Sequence, residues 1–169
     1  MMLDVSLEAD AEWDSRIAWG PLAERAAAAA DAESAFPQLG ASPRSVEIAL
    51  RLTNDAEVRA LNAQWRGKDK ATNVLSFPMA EAGDLAEPGA VDGPELMLGD
   101  IVLAHGVCAA EALDKAIPIE AHAAHLMVHG TLHLLGYDHG DDGSAEDMEA
   151  REIRALARLG IADPYEGER

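Results

Sequence analysis

The order of two kinds of hydrophobic pattern along the chain most constrains its fold. Before about residue 104, several short runs alternate apolar and polar positions, which is typical of half-buried strands. The residues that follow are predicted to form three helices, the first two separated by a break at Pro118. Because strands come early and helices late, with a hairpin-like pair of strands between them, the sequence predicts an α+β fold with a mixed sheet.

The second predicted helix has the clearest boundaries. It begins with capping residues, places Val58, Leu61 and Trp65 at intervals of three and four, and is expected to end at Gly67. Gly, Pro and acidic residues over 80–96 predict an exposed loop between the last two strands. We predict strands at 3–8, 45–52, 73–77 and 97–104, and helices at 21–36, 53–67, 109–116, 119–135 and 145–159.

Length and composition indicate a single globular domain. At 169 residues the chain can bury a continuous core without help from a disulfide or a metal. We therefore expect one compact domain over residues 1–169, with a sheet of about four strands and helices packed on it. Cys108, the single cysteine, lies in an apolar-leaning run and is predicted to be a buried core residue. No internal disulfide can form, and a thiolate metal site is not expected.

The beginning of the chain and its longest apolar runs bear on location. No run approaches the roughly 18 apolar residues that a membrane-spanning helix requires. The first residues carry acidic side chains where a secretory signal would carry basic ones. We therefore expect a cytoplasmic protein with no membrane association.

Charge is distributed unevenly along the chain. The net charge of −18 argues against a protein that coats nucleic acid indiscriminately, because such proteins carry an excess of Lys and Arg. Residues 44–70 nevertheless hold six of the thirteen basic residues against four acidic ones, so this segment has a net charge of +2 and the remainder −20. The segment could form a local basic patch, or its charges could belong to the wet face of a helix.

Three histidines follow one another at H-x3-H-x5-H within residues 129–139. His129 and His133 are one helical turn apart and project from the same face. Gly136 falls where a helix commonly ends in a left-handed residue, so the chain can reverse and bring His139 back toward the pair. Three imidazoles could then hold a zinc ion whose fourth position stays open for a water molecule, which is the arrangement of a catalytic site.

Two alternatives apply to this pattern. The three residues could be ordinary histidines on a helix face, although their spacing and the glycine at the turn disfavour this. The spacing is also that of metzincin zinc peptidases, in which a Glu after the first His is the general base. Here that position is Gly130, so peptide hydrolysis by that route lacks its base, while a zinc hydrolase of another class remains open.

The other histidines are assigned weaker roles. His122 and His125 share a helical stripe with the motif but lie farther from the turn, so they are interpreted as outer partners of the site or as polar surface residues. A fourth-ligand role for His125 is the less favoured alternative. His105 follows a strand end and is interpreted as structural.

Arg66 belongs to a second stretch, LNAQWRGKDKATNVLSFP (61–78), that could serve such a site. A phosphodiester transition state accumulates negative charge on its oxygens, and a bidentate arginine is well shaped to neutralise it. Together with a metal-activated water, one or more cations are the minimum equipment for phosphodiester cleavage. The alternative for Arg66 is a helix-end residue placed favourably against the helix dipole.

The stretch HGTLHLLGYDH, together with LNAQWRGKDKATNVLSFP, LGDIVL and the final GIADPY, closely resembles the YbeY family of metal-dependent endoribonucleases. The resemblance spans about residues 45–165. It implies a compact α+β fold, one Zn²⁺ per chain held by His129, His133 and His139, and a functional role for Arg66. It further implies single-strand-specific cleavage of RNA, 3′-end maturation of the small-subunit 16S rRNA, and ribosome quality control.

Some features depart from the pattern of that family, and the roles of some residues have more than one interpretation. Trp65 stands where the family usually has Tyr or Phe, and either stacks on a base or anchors the core. The loop at 80–96 is longer and more acidic than expected. The acidic residues of 138–152 resemble the start of a capped C-terminal helix, so these four are interpreted as helix-start electrostatics rather than a second metal site: Asp141, Asp142, Glu146 and Asp147.

A non-enzymatic hypothesis stands beside the nuclease. Zinc could serve only to hold the helix to the loop of a ribosome-assembly factor whose acidic surface binds small-subunit ribosomal proteins or an assembly GTPase. For the nuclease, His125 and Asp138 are candidates for the general base, and Asp138 is the better candidate for orienting a histidine ligand. Nickel and other first-row ions prefer similar donors to zinc. The oligomeric state leaves no signal in the sequence.

Overall fold

The computed structural model describes residues 3–36, 45–81, 85 and 95–166. Most of the predicted loop at 80–96 therefore lies outside the described residues. The described strands are β1 (Leu3–Ala9), β2 (Val46–Thr53), β3 (Val74–Pro78) and β4 (Leu96–Ala104), and the helices are α1 (Trp19–Ala32), α2 (Asp55–Arg66), α3 (His105–Lys115), α4 (Ile119–Leu134) and α5 (Asp142–Arg158). Each predicted strand and helix has a counterpart among these elements.

The four strands form one mixed sheet in the order β1-β2-β4-β3. The first three strands in this order are parallel. β3 runs antiparallel to β4, with Leu75 opposite Val102, so the predicted hairpin-like pair is present. The α+β class and the mixed four-stranded sheet are confirmed.

The core lies between one face of the sheet and helices α1, α4 and α5. Helix α4 is buried along most of its length, since eleven of its sixteen residues are inaccessible. Gly130 packs against the sheet, where an added Cβ atom would come within 2.9 Å of Ile101 Cγ2 on β4. The absence of a side chain at residue 130 therefore lets the helix that carries His129 and His133 lie directly against the central strands.

Helix α2 ends as its sequence predicts. The side chain of Asn54 caps its N-terminus by accepting a hydrogen bond from Glu57 N at 2.8 Å. Gly67 closes the helix in the left-handed region at φ 69°. The turn that follows the helix is ordered by buried Asn62 of α2, whose Nδ2 donates a hydrogen bond to Lys70 O at 2.9 Å.

Helix α3 begins four residues before the predicted start. Its N-cap residue, Ala104, offers no side-chain acceptor. Instead, Asp55 Oδ1 accepts a hydrogen bond from Val107 N at 3.1 Å, so a carboxylate from α2 satisfies the exposed end of α3. The prediction missed the true start because the capping group lies 52 positions away in the chain.

The structure also tests the predictions for Cys108 and for the end of α1. Cys108 is fully buried, as predicted, and burial raises the pKa of its thiol to about 12. Helix α1 ends at Ala32, four residues earlier than predicted. Within the described ranges, no helix has both the length and the apolar character needed to cross a membrane. The domain span of 1–169 stays a prediction.

Candidate metal centre

His129, His133 and His139 come together at the end of α4. Each offers a ring nitrogen that lies within 4.8 Å of those of the other two. The ring centroids of His133 and His139 are 5.1 Å apart, and those of His129 and His133 are 4.7 Å apart. Zinc–nitrogen bonds are about 2.1 Å long, so two nitrogens that share one ion lie at most about 4 Å apart, and nitrogens within 4.8 Å of one another reach that separation by small side-chain rotations. Three convergent imidazoles on this scale fit a first-row transition metal.

The turn at Gly136 produces this convergence. Gly136 adopts φ 96°, and its N–H donates to His133 O at 3.0 Å. The N–H of Tyr137 donates to Leu132 O at 3.0 Å, which completes a Schellman motif and ends the helix. Asp138 Oδ1 then accepts the backbone N–H of His139 at 2.7 Å. The predicted reversal after Leu135 is therefore present, and it is formed by local hydrogen bonds.

The surroundings of His133 lower the pKa of its ring. Burial, reinforced by the neighbouring His129 and His139, lowers its pKa to about 4. His133 is therefore neutral at physiological pH, which is the form of imidazole that binds metal ions.

Glu152 of α5 lies behind His129. Its Oε1 is 2.9 Å from His129 Nδ1 and 3.0 Å from His125 Nε2, and its Oε2 accepts a hydrogen bond from the Tyr165 hydroxyl at 2.9 Å. Burial disfavours its ionised form, but the hydrogen bonds from the two histidines outweigh burial and lower the pKa of Glu152 to about 2. The carboxylate is therefore ionised and acts only as an acceptor.

The sequence prediction missed Glu152, although a signal was present. The sequence pattern of the acidic segment 138–152 draws attention to its first residues, which are typical of a helix start. Asp141 does cap α5, because its Oδ1 accepts a hydrogen bond from Ser144 N at 2.8 Å. Glu152, however, lies four residues after buried Met148 and four before buried Leu156. An acidic residue within an apolar helical stripe is rarely fully buried unless it has a partner, and this position could have marked it.

His122 and His125 are buried, so the surface alternative for them is wrong. His122 Nε2 is 2.8 Å from Glu111 Oε1, which ties it to α3 and not to the three-histidine cluster. His125 Nε2 faces Glu152, which supports the interpretation of His125 as an outer partner rather than a fourth ligand. The structural interpretation of His105 is supported, since its ring packs edge-on against Trp13 at 5.2 Å.

Arg66 lines the same cleft as the three histidines. The cleft has a volume of about 340 Å³, and its walls include Arg66, Asn73, Ser76, Asp138 and the three motif histidines. Arg66 is the last residue of α2, exposed and without an ion-pair partner among the described residues. The structure therefore places a free guanidinium on the same cleft as the three rings.

The other described arginines of the segment 44–70, Arg51 and Arg59, form ion pairs outside this cleft. Arg51 is paired with Glu57 and Glu8, and Arg59 Nε lies 2.7 Å from Asp69 Oδ1. These ion pairs neutralise two of the six basic side chains of the segment. Arg59 belongs to the exposed face of α2, as the helix-face interpretation predicts, whereas Arg51 belongs to β2. Of the described basic residues of the segment, Arg66 lines the cleft.

Trp65 does not anchor the core. Its side chain is 65% exposed, and it lines a second, apolar cleft together with Phe77, Pro78 and Met79. Pro78 also borders the cleft that contains the histidines. An exposed indole therefore lies next to Arg66 on a surface that continues from the candidate metal centre.

Comparisons with known proteins found a matching family model, similar sequences and a similar fold. A family model described as Endoribonuclease YbeY matches residues 16–160. The chain is 52% identical to the Endoribonuclease YbeY of Sphingopyxis alaskensis over 97% of this chain and 98% of that protein. It is 48% identical to the protein of the same description from Rhizorhabdus wittichii, over 97% of each chain. A solution structure from Thermotoga maritima has a similar fold, with a TM-score of 0.55, 22% identity, and coverage of 94% of this chain and 92% of that one.

Proposed function

Because the chain belongs to the Endoribonuclease YbeY family, we propose that it is a zinc-dependent endoribonuclease that cuts single-stranded RNA. The proposed substrate is ribosomal RNA, and the proposed role is 3′-end maturation of the small-subunit RNA and quality control of ribosomes in the cytoplasm. The observation that carries this proposal is a cleft lined both by three convergent histidines and by Arg66.

In this proposal His129, His133 and His139 hold one zinc ion. The bound ion would supply a nucleophilic water at neutral pH and Lewis-acid stabilisation of a phosphate oxygen. Three imidazoles bind the ion without neutralising its charge, which suits an anionic substrate. The low pKa of His133 keeps that ring available as a ligand at neutral pH.

Arg66 is proposed to bind the scissile phosphate. Its guanidinium can donate two parallel hydrogen bonds to the non-bridging oxygens, and these bonds strengthen as negative charge accumulates. Because Arg66 has no ion-pair partner among the described residues, no such pair has to break before RNA binds. Asp138 lies on the same cleft and is the proposed general base.

Two observations weigh against a peptidase. Gly130 stands where a metzincin carries its general base, and the position faces Ile101 of the sheet rather than the cleft. An added side chain there would enter the core and could not reach a water molecule near the histidines.

The acidic remainder of the chain suits a second role in binding basic ribosomal proteins or an assembly GTPase, and this role is compatible with the nuclease.

The test compares cleavage of a single-stranded RNA and of a fully paired RNA by purified protein, with and without a chelator. Arg66→Ala is expected to lower the rate about a hundred- to a thousandfold, as loss of one donor to a transition-state oxyanion does. Arg59→Ala is the matched control, because Arg59 lies on the same helix but is paired with Asp69 outside the cleft. It should cleave like the wild type.

Equal residual cleavage by the wild type, Arg66→Ala and the chelated sample would identify a contaminant and refute the nuclease. Mapping the 3′ ends of small-subunit RNA in cells that lack the protein tests the substrate separately. Unprocessed 3′ ends in those cells would support the ribosomal role, and normal ends would restrict the proposal to another RNA.

A further inference from the structure

Glu152 is a carboxylate buried in a helix face that otherwise packs apolar side chains. Its side chain is 1% exposed on the core-facing side of α5, and both carboxylate oxygens lie within hydrogen-bonding distance of polar side chains. A carboxylate is costly to remove from water unless hydrogen bonds compensate it. Both of its oxygens are compensated here, and one of the groups that does so belongs to the three-histidine cluster.

The contact with His129 determines what that ring can do. Three side chains that can donate surround the Glu152 oxygens, namely His125, His129 and Tyr165, so the carboxylate is the acceptor and the 2.9 Å contact places the proton of His129 on Nδ1. A neutral imidazole protonated at Nδ1 has its lone pair on Nε2, which is then the one ring nitrogen of His129 able to bind a metal. Without this partner, the proton could reside on either nitrogen and the ring could rotate.

Glu152 is itself held in place from its other side. The Tyr165 hydroxyl donates to Oε2 at 2.9 Å, and the Tyr165 ring packs edge-on against His125 at 5.3 Å. His125 Nε2 lies 3.0 Å from Oε1. The C-terminal segment and two helices thus fix the direction in which the carboxylate points toward His129.

We propose that Glu152 is the positioning residue of the metal centre, which holds His129 in the tautomer and orientation that present Nε2 to the ion, and that Tyr165 holds Glu152. This inference rests on the proposed function only in assuming that the three histidines bind a metal. Carboxylates that orient a ligating histidine in this way commonly contribute ten- to a hundredfold to metal affinity, about 1.4–2.7 kcal/mol.

The experiment measures zinc affinity of the full-length chain by competition with a chromophoric chelator, and the tautomer of His129 in the metal-free chain by ¹⁵N NMR. The variants are Glu152→Ala and Glu152→Gln. Glu111→Gln is the matched control, because Glu111 forms a similar 2.8 Å contact with His122 of the same helix without touching the cluster. Circular dichroism and urea unfolding identify any variant that fails to fold.

Glu152→Ala is expected to weaken zinc binding about 10- to 100-fold and to give a mixture of His129 tautomers. Glu152→Gln keeps a neutral acceptor of about half the strength, so about a three- to tenfold loss is expected with the tautomer retained. If the Ala variant does not fold, the Gln variant decides. Wild-type affinity in a folded Glu152→Gln overturns the inference and leaves the nuclease proposal intact, whereas a wild type that binds no zinc overturns both.

Discussion

Gly130→Ala tests whether α4 packs too closely on the sheet to admit a side chain at residue 130. Alanine is favoured over glycine inside a helix by about 1 kcal/mol, so a substitution without steric cost would stabilise the protein. At residue 130, however, the new Cβ would meet three atoms of the Ile101 side chain, at 2.9, 3.1 and 3.2 Å.

Relief of this contact is difficult. Ile101 is 2% exposed and β-branched, so its side chain has little freedom to move within the core. Overpacking of a well-filled core costs about 1–3 kcal/mol. Subtracting the helix-propensity gain of about 1 kcal/mol leaves a net destabilisation of roughly 0–2 kcal/mol. We expect a loss of about 1 kcal/mol, equivalent to a decrease in Tm of about 2–4 °C for a chain of this size.

The assay is urea unfolding of the wild type and of two variants. Gly143→Ala is the control, because Gly143 lies in the exposed first turn of α5 and its added Cβ would come only within 3.5 Å of Asp141 Oδ1, an ordinary contact. That variant should be as stable as the wild type or more stable by up to about 1 kcal/mol. If Gly130→Ala is stabilised as much as Gly143→Ala, the close packing of α4 on β4 does not constrain residue 130, and the reasoning fails.

Two further predictions concern pH and RNA binding. The pKa of His133 is about 4 in the folded protein and 6.5 in the unfolded chain. Between these two pH values the unfolded chain binds more protons than the folded protein, so the stability of the metal-free protein should fall as pH decreases from 6.5 to 4. Urea unfolding across that range should show a shallower loss for His133→Asn, and an identical slope would contradict the assignment. Trp65→Ala should raise KM for single-stranded RNA, since stacking of a base contributes about 1–3 kcal/mol, while stability stays unchanged because the indole is 65% exposed. An unchanged KM would exclude Trp65 from the RNA-binding surface.

Helix ends were predictable where the capping group is near in sequence. Asn54 and Gly67 cap α2 within a few residues of its termini, and both were visible as capping signals. The start of α3 was not, because its N–H groups are satisfied by Asp55, which belongs to another helix. A helix cap formed by a residue next to the helix can be recognised from the sequence, whereas a cap formed by a residue of another helix cannot.

The same distinction divides the residues around the candidate site. The return of His139 to the pair on α4 depends on helical periodicity and one left-handed glycine, so spacing alone indicated it. Trp65 has the spacing of a core residue, yet it is exposed because the apolar cleft beside it is not covered by any described element. Its environment depends on which faces of α2 and the sheet meet, and no local pattern reports that.

By itself, the sequence determined the α+β class, the reversal at Gly136 and the convergence of three imidazoles, because each follows from backbone geometry over a few residues. The shared cleft of Arg66 and those rings, and the position of Glu152 behind His129, are visible only in the folded protein. Each brings together residues that are 23 or more positions apart, and it depends on the packing of whole helices against one sheet.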